Sequence, residues 1–156
     1  MAFGLHLDNI TTQANTANEF TPIVIYKVPA GGLVTWPVVT KIIMKLYATD
    51  GNELGNKDEL YFAFKTPAEK VWNQLTEVFT YHRFKQMEIK DQSDYTKTPK
   101  IVLSNAAKNA IAAKGGGDLI VFPQDRQIAL FLKSSKTFDH DSQENFLELP
   151  DVEVIC

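Results

Sequence analysis

Between Lys41 and Lys65 the chain alternates apolar and polar positions in two separate stretches. In Lys41-Ile42-Ile43-Met44-Lys45-Leu46-Tyr47, residues Ile42, Met44 and Leu46 share one parity, while Lys41, Lys45 and Tyr47 share the other. In Leu60-Tyr61-Phe62-Ala63-Phe64-Lys65, residues Leu60, Phe62 and Phe64 repeat the pattern. A period of two is that of a strand with one face buried. Thr49-Asp50-Gly51-Asn52 lies between them, with the side-chain-to-backbone bonding and positive-φ tolerance that reverse a chain.

The same signal recurs on both sides. Ile23-Val24-Ile25-Tyr26 is a short continuous apolar run, suited to a strand covered on both faces, and Pro29-Ala30-Gly31-Gly32 ends it. Extended structure resumes at Leu33-Val34-Thr35-Trp36. Thr66-Pro67-Ala68-Glu69 has the form of a helix start, with Thr66 as N-cap and Glu69 closing a capping box, which predicts about two turns with Val71, Trp72 and Leu75 inward. Phe79, Tyr81, Met87 and Ile89 share a strand parity that Phe84 interrupts, which predicts a bulge or bend near Arg83. Ser104 to Lys114 reads as a short helix stopped by Gly115-Gly116-Gly117. Leu119 to Phe122, the turn Pro123-Gln124-Asp125, and Ile128, Leu130 and Leu132 read as a β-hairpin. Phe146 to Leu149 and Val152 to Ile155 close the chain as one strand kinked at Pro150, or as two.

These elements define a mainly β protein: an antiparallel β-sandwich or flattened barrel with one or two short helices and an extended N-terminal arm. Its expected core includes Ile42, Met44, Leu46, Leu60, Phe62, Phe64, Ile128, Leu130 and Leu132. The arm, residues 1–21, is rich in Asn, Thr and Gln and holds scattered large apolar residues, Phe3, Leu5, Leu7, Ile10 and Phe20. It carries too little apolar surface to offset its own ordering entropy, so it is expected to be either mobile in solution or ordered against another chain. The domain proper is 22–156, since 156 residues suffice for one well-buried core and not for two domains of ordinary size.

Composition narrows function by exclusion. A hydrophobic fraction of 44% without a run near the roughly 20 residues needed to cross a bilayer argues against membrane insertion. The first eight residues lack a basic stretch and a long apolar stretch, so a cleaved secretion signal is not expected. A net charge of −3 removes the attraction behind non-specific nucleic-acid binding. No Lys or Arg follows Lys136, whereas Asp139, Asp141, Glu144, Glu148, Asp151 and Glu153 crowd the last stretch, an acidic edge that discourages sheet-to-sheet pairing. Cys156, the single cysteine, has no partner for an internal disulfide.

Candidate chemistry is sparse. Asp139-His140-Asp141 with Glu144 is the densest set of metal-ligand types, but neighbours on an extended chain point apart. Asp50-Gly51-Asn52 lacks the spacing of a calcium loop. The triglycine follows a helix, whereas a phosphate cradle precedes one. His6, His82 and His140 are far apart in sequence, and no nucleophile elbow is present, so neither an enzyme nor a cofactor is expected. Tyr81, Arg83, Phe84, Lys85, Lys90, Tyr95 and Lys97 mix aromatics with cations, diluted by Glu88, Asp91 and Asp94. Trp36, Trp72 and Tyr26 belong first to the core and only second to a sugar-stacking surface.

Val28-Pro29-Ala30-Gly31-Gly32, Lys41 to Leu54 and Asp58 to Pro67 together resemble the small β-sandwich decoration, or cement, proteins of tailed-phage heads, over about residues 28–67. The resemblance implies a structural virion protein on the capsid surface, made in the host cytoplasm. It also implies binding to the major capsid protein as a homo-oligomer, with a trimer as the working guess, and clamping of neighbouring capsomers. It brings no catalytic residues, cofactor, metal, nucleic acid or membrane. The arm residues Phe3, Leu5, Leu7, Ile10 and Phe20 are then the expected partner contacts. The alternative class is a carbohydrate- or receptor-binding β-sandwich module of tail or fibre type, using Trp36 or Trp72.

Overall fold

The computed structural model describes residues 10–55, 57–81, 100–113 and 119–155. They form strands β1 (Ile10–Thr12), β2 (Thr21–Lys27), β3 (Leu33–Pro37), β4 (Val39–Lys41), β5 (Ile43–Lys45), β6 (Glu59–Lys65), β7 (Asn73–Gln74), β8 (Phe79–Thr80), β9 (Lys100–Val102), β10 (Leu119–Pro123), β11 (Gln127–Lys133), β12 (Phe146–Glu148) and β13 (Glu153–Ile155), with one helix, α1 (Asn105–Ala113). The large sheet has the order β1-β2-β11-β6-β7, and β8 also pairs β6; a second sheet has the order β10-β3-β13. Two-stranded ladders β5-β12 and β4-β9 complete a mainly β, sandwich-like fold in which each of these pairs is antiparallel.

Period two decides which side chains enter the core. Leu60 and Phe62 of β6, Val24 and Tyr26 of β2, and Ile128, Leu130 and Leu132 of β11 are buried in one cluster with Trp36, Val34 and Phe122 from the second sheet. The two sheets meet through Trp36 edge-on to Phe62 at 5.0 Å and through Phe64 against Phe122 at 5.3 Å. All nine expected core residues belong to this cluster, Phe64 as a partly buried member. Aromatic pairs at such distances contribute about 0.5–1.5 kcal/mol beyond the area they bury.

Several expectations are corrected. The Leu119–Lys133 unit is not a hairpin: β10 pairs β3, and β11 pairs β2 and β6, so the turn carries the chain from one sheet to the other. It is held by the 28–31 segment, which makes the same crossing from β2 to β3. Asp125 N–H donates to Val28 O (3.0 Å), Val28 N–H donates to Arg126 O (2.9 Å), and Gly31 N–H donates to Gln124 Oε1 (2.7 Å). Gly31 sits at φ 79, where a Cβ would be strained, and Asp125 at φ 69. The helix expected from Thr66 is only a turn. Glu69 Oε1 does accept from Thr66 N–H (3.0 Å), as half of a capping box, but Asn73 and Gln74 then pair with β6, and Val71 is 74% exposed. The ladder to β6 outcompetes a helix of about two turns, too short to be stable by itself.

The alternating stretch 41–47 is split between β4, paired with β9, and β5, paired with β12, so Ile42 and Ile43 are both buried where the chain changes partner. The end of the chain is two strands, β12 on β5 and β13 on β3. The helix expected at 104–114 is α1. Ser104 is its N-cap: Oγ accepts from Ala107 N–H (3.2 Å) and donates to Gln74 O (3.0 Å). The bulge or bend expected near Arg83, the triglycine and Cys156 lie outside the described residues.

Of the arm expected over 1–21, residues 10–21 are part of the body. Ile10, Thr11 and Thr12 pair with Tyr26, Ile25 and Val24, and Asn15 bridges Lys136 O (3.0 Å) and Phe138 N–H (2.7 Å). Asn and Thr side chains in this stretch bond to the chain's own backbone and tie it to the body.

Candidate functional site

The outer face of the large sheet is aromatic. Because Leu60, Phe62 and Phe64 point inward, Tyr61 and Ala63 point outward, and the registry sets Phe131 beside Tyr61 and Ala129 beside both Ala63 and Ile25. Tyr61 stacks on Phe131 at 5.0 Å with 13° between planes, Phe20 meets Tyr61 edge-on at 4.9 Å, and Trp72 meets Phe131 edge-on at 5.8 Å. Ala63 and Ala129 are the small residues of this cluster, against which Trp72 and Ile25 pack. Cations close both ends of the strip: Lys65 Nζ lies 4.8 Å from the Trp72 ring centre and Lys133 Nζ 5.8 Å from that of Phe20. Burial pushes the Tyr61 hydroxyl above its ordinary pKa, so it stays a neutral hydrogen-bonding group there.

The second sheet presents a different surface. Leu119, Val121 and Ile155 are 45%, 47% and 48% exposed. The registry places Leu119 beside Pro37, Val121 beside Thr35, and Pro123 beside Leu33, with Ile155 on the other side of Leu33. These residues make an outer face that is apolar along β10 and at Leu33, Pro37 and Ile155, with Thr35 and Glu153 as its polar members. Among the described residues β10 pairs with β3 alone, so its other edge is unpaired. Along that edge runs a cleft of about 260 Å³, lined by β10 from Ile120 to Pro123 and by Phe64, Thr66 and Arg126.

The remaining candidates resolve into structural roles. Asp139-His140-Asp141 is a turn: Asp139 Oδ1 accepts from Asp141 N–H (3.2 Å), and Asn145 Nδ2 donates to Asp139 O (2.6 Å). Among the described residues no three His, Cys, Asp or Glu side chains converge to hold a metal. Asp50 accepts from Asn52 N–H (2.9 Å) and pairs with Lys136 (3.2 Å), and both bonds hold its carboxyl below the ordinary range, the backbone bond foremost. Tyr81 is fully buried, so it cannot serve an exposed aromatic–cation platform; the rest of that set, from Arg83, lies outside the described residues. Its hydroxyl donates to Glu53 Oε2 (2.5 Å) and accepts from Leu46 N–H (2.9 Å).

Of the expected partner contacts, Ile10 packs against the main core and Phe20 on the aromatic face. Phe3, Leu5 and Leu7 lie outside the described residues. Trp36 is 0% exposed and therefore unavailable to a ligand, whereas Trp72 is half-buried on the aromatic face. Tyr61, Phe131 and Arg126 are additions to the candidate surface. A sequence signal existed for the first two, since each lies opposite in parity to a strong core triplet. Arg126 carried none, because only the crossing between sheets brings it to the cleft. No protein-family model and no curated protein matches this chain.

Proposed function

We propose that the chain is a structural virion protein, a capsid decoration protein that binds the outer shell through the major capsid protein and acts as a homo-oligomer. The observation that carries this reading is the apolar outer face of β10, β3 and β13, with Leu119, Val121 and Ile155 each close to half exposed. A monomer rarely shows water a contiguous apolar sheet face, and a surface layer on a shell covers such a face on attachment. The resemblance of residues 28–67 to phage-head decoration proteins supplies the partner class. The test is co-sedimentation with capsids assembled from the major capsid protein. Leu119→Asp, at a position 45% exposed, should weaken shell binding at least tenfold while the thermal unfolding transition is retained. Unchanged binding by this variant, or no binding by the wild-type chain, would refute the reading.

A second reading draws on the half-buried Trp72 and the lysine above it. An aromatic ring flanked by a cation suits stacking against an acidic sugar, as in a receptor-binding module of tail or fibre type. Glycan binding that Trp72→Ala abolishes would bring this reading forward.

A further inference from the structure

We infer that the cleft along the free edge of β10 is a strand-addition slot, and that its occupant is the N-terminal segment Phe3–Asp8 of a second copy of this chain. The inference deepens the homo-oligomer part of the proposed function and rests on it only there.

The slot is defined by three features. Among the described residues β10 has one unpaired edge, which offers backbone donors and acceptors to an added strand. Beneath that edge, Phe64, Ile120 and Phe122 give the cleft an apolar floor. A cavity of ~150 Å³ suffices for benzene, so one of about 260 Å³ takes a large apolar side chain with space left over. The third feature is a cation at the Pro123 end. Among the described residues no carboxylate lies within 4.0 Å of Arg126 in an ion pair. The nearby Glu69 is already engaged through both oxygens, by Thr66 N–H and Asn73 Nδ2.

The occupant must therefore be an extended segment with apolar residues at every second position and an acid at one end. Phe3-Gly4-Leu5-His6-Leu7-Asp8 has that pattern. Laid parallel to β10 with Leu5 opposite Ile120 and Leu7 opposite Phe122, it turns both leucines onto that floor and carries Asp8 to the Pro123 end, toward Arg126.

Distance decides whose segment it is. Ile10, Tyr26, Ile128 and Phe64 lie in one cross-strand row. Three strand spacings of about 4.8 Å and a sheet separation of about 10 Å put the cleft roughly 17 Å from Ile10. The three residues from Leu7 to Ile10 reach at most about 11 Å. A chain cannot lay its own Leu7 beside Phe122 over the Phe64 row. A second copy can, and such head-to-tail exchange gives a ring where the rotation between copies closes.

The test is sedimentation equilibrium on the full-length chain. Asp8→Arg and Arg126→Asp should each raise the subunit dissociation constant at least tenfold, and the two changes in one chain should restore association. Leu5→Asp, which leaves the cleft itself unaltered, should dissociate the assembly as well. Unchanged association in Asp8→Arg and Leu5→Asp overturns the inference, as does a double variant no tighter than the singles, or a wild-type chain that stays monomeric at every concentration. Shell binding does not enter these measurements, so failure of the decoration reading registers separately, in co-sedimentation.

Discussion

Tyr81→Phe isolates one buried hydrogen-bonded unit without changing the volume of the core. The hydroxyl accepts from Leu46 N–H at 2.9 Å and donates to Glu53 Oε2 at 2.5 Å, and both Tyr81 and Leu46 are fully buried. Its removal leaves the Leu46 N–H without this acceptor, a loss of about 1–3 kcal/mol, and deletes a bond to a carboxylate worth a similar amount. The two overlap, so a net cost of about 2–3 kcal/mol is expected. At roughly 2–4 °C per kcal/mol for a chain of this size, the midpoint of thermal unfolding falls by about 5–10 °C. Calorimetry at neutral pH measures it. Burial, and next the bond to Glu53, hold the hydroxyl pKa above the ordinary tyrosine value. A folded-state pKa above the unfolded value gives stability that is complete below about pH 10 and declines as pH rises beyond it. The wild-type chain should therefore lose stability more steeply above pH 10 than Tyr81→Phe does. A thermal midpoint within about 1 °C of wild type, or identical alkaline limbs, would refute the role assigned to this hydroxyl.

Asn15→Ala removes the side chain that bridges Lys136 O and Phe138 N–H across a sequence separation of more than 120 residues, and should cost about 1–3 kcal/mol in urea unfolding. Unaltered stability would return residues 10–21 to the status of a dispensable arm. Ser104→Ala removes the N-cap of α1 and its bond to Gln74 O, and should cost about 1 kcal/mol, read from the same denaturation midpoint.

Which face a residue occupies was legible along the chain; which sheet it joins was not. Alternation is a property of a strand and the layer beneath it, so Leu60, Phe62, Ile128, Leu130 and Leu132 could be assigned to the core with no knowledge of their neighbours. Partner choice depends on contacts distant in sequence. Pro123-Gln124-Asp125 has the composition of a tight reversal, and in a hairpin the strands it joins would face each other. Here the 28–31 segment supplies the bonds that fix the turn, and those bonds lead it into the other sheet. Thr66 to Glu69 shows the same limit from the other side. The capping bond forms as local chemistry dictates, yet the helix does not follow, because the edge of β6 offers Asn73 and Gln74 a ladder.

The crossings also explain why the candidate surface was only half legible. Tyr61 and Phe131 are adjacent because β6 and β11 are neighbours in the large sheet, and Trp72 reaches them only because the chain after Thr66 turns instead of coiling into a helix. Had β10 and β11 formed a hairpin, β10 would have lain in the large sheet, with no cleft between its edge and Phe64. Sending β10 to the far sheet leaves β11 to be covered by β2 and β6 and, among the described residues, leaves one edge of β10 unpaired. That edge is what the proposed strand addition would use.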